Sequence, residues 1–267
     1  MTVTPLRVAR RPRAFVAVRG PDAASYLQAM LSNDVEALSP GEACEALLLT
    51  PKARVIAPMT VWRRGPDDFL LLTEPGLGEP LRAALLRSRF AARCEIELEE
   101  HVSALVLGGA EGIPNREYGV PAVEVLDAEL EPTVGEDELE LLRIRAGTPR
   151  FGREIDERVL PAEAGLDVRA IDFGKGCYPG QEPVARQRYR GRVNRTLRVL
   201  ELEGEALPEP DAELTYEGKV VGRVTSAARE GEHVLALAYV RVEVPHDAAL
   251  DLSGRRVRPA GIEPACK

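Results

Sequence analysis

The C-terminal third of the chain consists of short, apolar-rich runs separated by glycine-containing turns. Five runs have the length and β-branched content of strands, and Glu217-Gly218 and Glu230-Gly231-Glu232 lie in turns between them. Strands this short, joined by tight turns, pair with their neighbours in antiparallel fashion and form a small barrel or sandwich. The predicted strands are 193–203, 212–216, 220–227, 233–242 and 249–257. We therefore predict a C-terminal β-barrel domain over residues 191–267.

Residues 1–190 mix helical and strand patterns. Gly20-Pro21-Asp22 precedes apolar residues at helical spacing, 77–92 is amphipathic, and 137–146 is a third, shorter helix. The segment 150–185 is rich in glycine and proline and is predicted to be mostly loop. Interleaved helices and antiparallel strands indicate an α+β fold. The predicted strands are 14–19, 46–50, 54–63, 69–73, 94–98 and 102–107.

The net charge and the positions of the cysteines argue against a nucleic-acid-binding or membrane protein and against a metal site within one chain. A net charge of −8 argues against bulk affinity for nucleic acid or an anionic membrane, although a local basic patch could override it. No run of about 18 apolar residues is present, and no apolar stretch follows the N-terminal arginines, so we expect a cytoplasmic protein. The cysteines and histidines are too scattered for a metal site within one chain, but a cluster shared with a partner's thiols stays open. They are Cys44, Cys94, Cys177, Cys266, His101, His233 and His246.

One octapeptide, Lys175-Gly176-Cys177-Tyr178-Pro179-Gly180-Gln181-Glu182, places a thiol beside a cation and between two glycines. A lysine and a glutamate in an apolar core would have neither solvent nor a partner for their charges. We therefore expect this segment to be an exposed, functional loop and not part of the core. Pro179-Gly180 fits the central pair of a type II turn. Because a neighbouring cation lowers the pKa of a thiol, Lys175 is a candidate to activate Cys177. A tight turn whose cysteine merely packs is the alternative.

Arginine then recurs at every second position, at Arg186, Arg188, Arg190 and Arg192. On a strand, this alternation would place the four side chains on one face, where like charges usually have an anionic partner. A polycarboxylate ligand or the phosphate backbone of RNA would suit such a face. A solvated strand edge that discourages aggregation is the alternative.

The octapeptide and the Pro-Val-Ala-Arg that follows it resemble the signature of the YgfZ family. These folate-binding proteins are linked to iron–sulfur enzymes and are related to the glycine-cleavage T-protein, an aminomethyltransferase. Weaker matching segments occur in the same order at 20–28, 33–35, 143–149 and 221–226, so the resemblance covers nearly the whole chain.

The resemblance implies a three-lobed ring in which two α+β lobes and the C-terminal antiparallel β-barrel surround a central channel that receives tetrahydrofolate. Residues 1–190 would then form the folate-binding region with its two lobes. It also implies Cys177 as the key thiol, tuned by Lys175. The residues expected at the cofactor or in its supporting loop are Arg143, Gly176, Tyr178, Gly180, Gln181, Glu182 and Arg186.

One departure from the T-proteins concerns their mechanism. Their strand after the first turn resembles Gly-Gly-[Ile/Val]-x-Asp-Asp, and its aspartate serves the folate amine during methylene transfer. The corresponding stretch here ends in Ala57-Pro58 and contains no carboxylate. Alanine and proline can neither accept nor orient a proton, so aminomethyl transfer by that mechanism is disfavoured.

The leading hypothesis is a tetrahydrofolate-binding accessory factor that supports assembly or repair of iron–sulfur clusters in other enzymes. Cys177 would ligate a cluster shared with a carrier or client protein, or act on a folate-linked one-carbon adduct by redox chemistry. Two other classes stay open. One is a folate-dependent aminomethyltransferase or methyltransferase, and the other is an RNA-interaction module associated with tRNA modification that uses the four arginines.

Overall fold

The computed structural model describes residues 6–109, 111–156, 158–191 and 193–261, apart from the side chain of Arg190. Cys266 and Arg192 lie outside the described residues. The strands are β1 Arg7–Arg10, β2 Ala14–Arg19, β3 Ala43–Leu49, β4 Val55–Gly65, β5 Asp68–Thr73, β6 Glu95–Glu99, β7 Ser103–Leu107, β8 Ile113–Asn115, β9 Ala122–Leu126, β10 Arg195–Glu203, β11 Glu213–Tyr216, β12 Lys219–Glu230, β13 His233–Arg241, β14 Leu250–Leu252 and β15 Arg255–Pro259. The helices are α1 Ala23–Met30, α2 Gly78–Ser88, α3 Glu136–Arg145, α4 Leu166–Arg169 and α5 Gln181–Arg190, with a 3₁₀ helix at Pro161–Glu163.

The first sheet has five antiparallel strands in the order β3-β4-β5-β2-β6. Because side chains alternate along a strand, its two faces bury different sets of residues. Leu48 and Val61 face α1 and α2, whereas Leu70 and Leu72 face the second sheet. Leu47 and Leu49 on the edge strand β3 pack beneath the octapeptide segment. The predicted strands and helices of this region are confirmed, except that α2 ends at Ser88 and not near residue 92.

The second sheet has four antiparallel strands in the order β1-β7-β9-β8 and packs with α3. The sequence patterns missed β1, β8 and β9. Strand β1 gives no strand pattern in the sequence because Arg7 and Arg10 flank only two apolar residues. Strand β8 has three residues, too few for a period to be recognised.

The C-terminal domain is a closed antiparallel barrel in the order β10-β13-β12-β11-β14-β15. The α+β fold with a C-terminal β-barrel is therefore confirmed. The predicted single strand 249–257 is wrong, since the chain turns at Ser253-Gly254 and forms two strands that pair with each other. Both turn residues have a positive φ, 54° and 87°, which ends strand geometry at that point. Among the residues that the structure describes, no helix is long and apolar enough to cross a bilayer.

Candidate functional site: the cysteine loop

Residues 171–180, here called the cysteine loop, leave α4 and lead into α5. Two hydrogen bonds fix the loop's first residues to the end of α1. The backbone N–H of Asp172 donates to the carbonyl of Ser32 at 3.0 Å, and the Ser32 hydroxyl donates to the carbonyl of Ala170 at 2.6 Å. The Asp172 carboxylate in turn accepts from the backbone N–H groups of Gly174 and Lys175. The entry to the loop is thus ordered by specific bonds to a distant part of the chain.

Lys175 is directed into the protein, and its side chain ends among backbone carbonyls. Its Nζ donates to the carbonyls of Gln28, Leu31 and Asn33, the longest of the three distances being 3.1 Å. Burial lowers the pKa of the ammonium, and the charge of Asp34 opposes that shift. These carbonyls belong to the last turn of α1 and the residues after it, where a cation is favoured by the helix dipole. The contacts assign Lys175 an anchoring role, and the hypothesis that it also tunes Cys177 stays a prediction.

Tyr178 and Gly180 anchor the other end of the loop. Tyr178 is buried with Leu47 and Leu49 of β3, and burial raises the pKa of its phenol to about 12. Gly180 has φ +83° and ψ 1°, and the N–H of Gln181 donates to the carbonyl of Tyr178 at 3.2 Å. These values are those of the third residue of a type II turn, so the turn predicted at Pro179-Gly180 is confirmed.

Cys177 lies between these two anchors, and its side chain is exposed. Cys94 is buried and Cys44 is half-buried, and burial raises the pKa of both thiols, that of Cys44 to about 12. Of the three cysteines in the described part of the chain, Cys177 is therefore the one that a partner can reach. Within the same residues, no group of three or more histidine, cysteine, aspartate or glutamate side chains could hold a metal ion.

Arg186, Arg188 and Arg190 lie on helix α5, so the interpretation that places the arginines along one face of a strand is wrong for these three, and Arg192 lies outside the described residues. Gly180 in the left-handed conformation starts α5, and the residues that follow are mostly good helix formers, with a proline tolerated in the first turn. Positions two apart on a helix point about 200° away from each other. Arg186 accordingly pairs with the exposed Glu182 at 2.7 Å, whereas the Arg188 guanidinium stacks 3.8 Å from the Phe173 ring centroid. The hypothesis of an RNA-binding or polycarboxylate-binding stripe loses its geometric basis.

The other predicted site residues are spread over two locations. Gly176 and Gln181 belong to the cysteine loop and to the start of α5, beside Cys177 in sequence. Arg143 is buried on α3, where its guanidinium donates to Glu140, Glu154 and the carbonyl of Thr148. Since these partners lie within the chain, a ligand contact of Arg143 would require one of them to be displaced. The role of Arg143 at a cofactor stays a prediction.

A small central cavity lies between β3, β4 and the segment 148–170. Its volume is about 50 Å³, and Pro58 and Thr60 of β4 line it. Ala57 points to the opposite, buried face of the sheet. At the two positions that the resemblance matches to the T-protein aspartates, the chain presents a proline ring to the cavity and an alanine to the core.

Three carboxylates that the sequence patterns did not single out also line this cavity: Glu45, Glu74 and Glu117. All three are paired with arginines. Glu45 accepts two bonds from Arg169, and Glu74 and Glu117 accept from Arg11 at 2.8 and 3.0 Å. The arginines hold the pKa of Glu117 well below its ordinary value, despite its burial. The alternation of Arg11 and Arg13 was the available sequence signal, but their partners are about 60 to 110 residues away.

Comparisons with known proteins show which proteins resemble this chain in sequence and in fold. Residues 194–263 match the C-terminal β-barrel domain of CAF17. An iron–sulfur cluster assembly factor, the mitochondrial IBA57 homolog of Pyricularia oryzae, is 28% identical over 91% of this chain and 73% of its own length. An aminomethyltransferase of Rippkaea orientalis is 26% identical over 84% of this chain and 75% of its own length.

Among solved structures, the glycine cleavage system aminomethyltransferase T from Bartonella henselae matches with a TM-score of 0.81. The match covers 95% of this chain and 84% of that chain at 20% identity, so it establishes the fold. The predicted kinship is confirmed to this extent: the chain has the T-protein fold, its barrel matches that of CAF17, and its sequence is similar to an iron–sulfur cluster assembly factor and to an aminomethyltransferase.

Proposed function

We propose that this protein is an accessory factor for the assembly or repair of iron–sulfur clusters in other enzymes, and that it acts through Cys177. The observation that carries the proposal is the placement of this thiol. Cys177 is exposed, while Lys175 and Tyr178 on either side of it are buried. The relationship to a cluster assembly factor supports the cluster as the cargo.

Iron–sulfur clusters are held by cysteine thiolates, four for the common clusters. Cys177 supplies one such ligand, and a carrier or client protein supplies the remaining thiolates of a cluster that the two proteins share. Because the loop is tied down at Asp172, Lys175 and Tyr178, its backbone does not have to be ordered when the partner docks. The exposed thiol and its fixed surroundings are the two properties that such a transfer site requires.

The test compares Cys177→Ala with Cys44→Ala in a cell that lacks the native protein. We expect Cys44→Ala to restore the activities of iron–sulfur enzymes and Cys177→Ala to fail, because only the exposed thiol reaches a partner. Full rescue by Cys177→Ala contradicts the proposal. In vitro, mixing the purified protein with a cluster-loaded carrier should change the sulfur-to-iron charge-transfer absorption, and Cys177→Ser should abolish that change.

Tetrahydrofolate is the cofactor that the T-protein fold implies. The arginines and carboxylates around the central cavity match the polar groups of a folate in kind, but the cavity volume of about 50 Å³ does not accommodate one. Pockets for ligands of that size measure roughly 300–1,000 Å³. In this conformation the cavity does not fit the group, so no step of the proposed function depends on it.

Folate binding is therefore a separate proposal that rests on the fold and requires the cavity to widen. Calorimetry with tetrahydrofolate at high protein concentration tests it directly. A saturable heat that is retained in Cys177→Ala supports a folate site independent of the thiol. No heat at high protein concentration removes the folate from the proposed function and leaves the role of Cys177 to its own test.

Aminomethyl transfer is disfavoured by the same cavity. Pro58 lines it where a carboxylate is needed, and Glu45, Glu74 and Glu117 are engaged by arginines. The ion pairs of Glu117 hold its pKa low, which makes this carboxylate a weak base. An assay with an aminomethylated carrier protein and tetrahydrofolate should give no turnover, and robust product formation would overturn this conclusion.

A further inference from the structure

A second cavity, here called the barrel-side cavity, lies on the outer face of the barrel, between β10 and the segments 146–149 and 164–169. Its volume is about 650 Å³, within the range of small-molecule sites. Leu197, Val199 and Leu237 form one wall, while Leu202 of the same strand β10 packs in the barrel interior. Residues of the 150–170 region, including Ala164 and Val168, form the opposite wall. The lining is therefore mainly aliphatic.

The titratable residues that line the barrel-side cavity are all basic. They are Arg169, Arg198 and His246, and no aspartate or glutamate lines the cavity among the described residues. This is unusual in a chain whose net charge is −8. An apolar surface that carries only basic groups is complementary to an apolar ligand with an anionic group.

Arg198 provides the local reason for expecting an anion. Its guanidinium donates only to backbone carbonyls, those of Arg241, Val244 and Pro245, and within the described chain no carboxylate pairs with it. Its Nε is shielded from solvent and has no hydrogen-bond partner in the described structure. Burial lowers the pKa of Arg198, and no neighbouring anion opposes the shift. A partly buried cation without a counter-ion is stabilised by a ligand that brings one.

We propose that the barrel-side cavity binds a linear monocarboxylate with an aliphatic chain, of the medium-chain fatty acid class. The chain packs between Leu197, Val199 and the residues around Val168, and the carboxylate lies at the end of the cavity beside Arg198 and His246. The site shares no residue with the cysteine loop, so this inference does not depend on the proposed cluster function.

The first experiment is calorimetry of the full chain with hexanoate, octanoate and decanoate below their micellar concentrations. Burying one methylene tightens binding by about fourfold, so each step of two methylenes should lower the dissociation constant by roughly 15-fold. Decanol, which lacks the charge, should bind about 10–100-fold more weakly than decanoate. Equal affinities along the series, or no binding of decanoate, would overturn the proposal.

Two pairs of variants locate the site. Val168 is 61% exposed, so Val168→Trp can obstruct the cavity without disturbing the core, whereas Val220→Trp makes the same change at a 52% exposed barrel position outside the cavity. We expect decanoate binding to be lost in the first and kept in the second. Arg198→Met should weaken binding at least tenfold and Arg198→Lys should restore most of it, with Arg229→Met as the control outside the cavity. Unchanged binding in both Val168→Trp and Arg198→Met refutes the assignment.

Discussion

Replacing Gly180 with alanine should destabilise the protein and displace the cysteine loop. Gly180 has φ +83°, and a left-handed residue with a Cβ costs about 1–2 kcal/mol. The added Cβ would lie 2.6 Å from the carbonyl oxygen of Thr50 and 3.2 Å from the Cα of Ala53, both backbone atoms. Relieving such a contact requires the backbone to shift and adds about 1–3 kcal/mol. We therefore expect the free energy of unfolding to fall by about 2–5 kcal/mol.

The same octapeptide contains a matched control. A Cβ at Gly176 would meet no atom within 4 Å, and its φ lies outside the left-handed region, so Gly176→Ala should change the stability by less than about 0.5 kcal/mol. Urea unfolding measures both variants, and the reaction rate of the exposed Cys177 thiol with a disulfide reagent reports the loop. Gly180→Ala should change that rate in the folded protein and Gly176→Ala should not. Equal stabilities and equal rates for the two variants would refute the idea that Gly180 fixes the loop.

Three further changes test the contacts around the loop and the central cavity. Glu117→Gln should lower the unfolding free energy at pH 7 by about 3 kcal/mol, because two buried arginines lose a counter-ion. Since the folded pKa of Glu117 lies below its ordinary 4.5, its contribution is complete above that value and is lost as the pH falls below it, so the variant should show a smaller acid-dependent loss in urea unfolding. Arg188→Ala should cost about 1 kcal/mol in thermal unfolding through its lost aromatic contact, and Arg186→Ala, whose ion pair is exposed, less than about 0.5 kcal/mol. Lys175→Met should cost about 2–3 kcal/mol by the same measurement, because three carbonyls lose a charged donor, and an unchanged melting temperature would contradict the anchoring role.

The features that could be predicted from the sequence are those that a few neighbouring residues determine. The turn at Pro179-Gly180 follows from the two residues themselves, and the strand over 14–19 follows from its own apolar run, so both were correctly predicted. The prediction that the arginines lie along one face of a strand was wrong, because alternation of charged residues does not report which face of an element is buried. Helix propensity and the left-handed Gly180 determine the conformation of this segment instead.

Long-range contacts were not predictable in the same way. Lys175 was expected to act on the thiol two residues away, but its ammonium binds carbonyls about 140 to 150 positions earlier in the chain. The carboxylates of the central cavity come from separate strands and loops and meet only when the two sheets pack. Single-sequence patterns report which face of an element is apolar, not which distant polar group completes a pair.

The arrangement around Cys177 supports the proposed role of this thiol toward a partner, which requires no pocket of its own. Lys175 and Tyr178 place the anchors of the loop in the interior, on either side of the cysteine, and Val184 continues the same contact into α5. Ordering a backbone residue costs about 1–2 kcal/mol, so a loop that is ordered before docking spares that cost at the moment of cluster exchange. The buried cation near α1 is thus better understood as holding the thiol in place than as changing its reactivity. A variant that loosens the anchors while retaining Cys177, such as Gly180→Ala, should therefore impair transfer to a partner even though the thiol itself is intact.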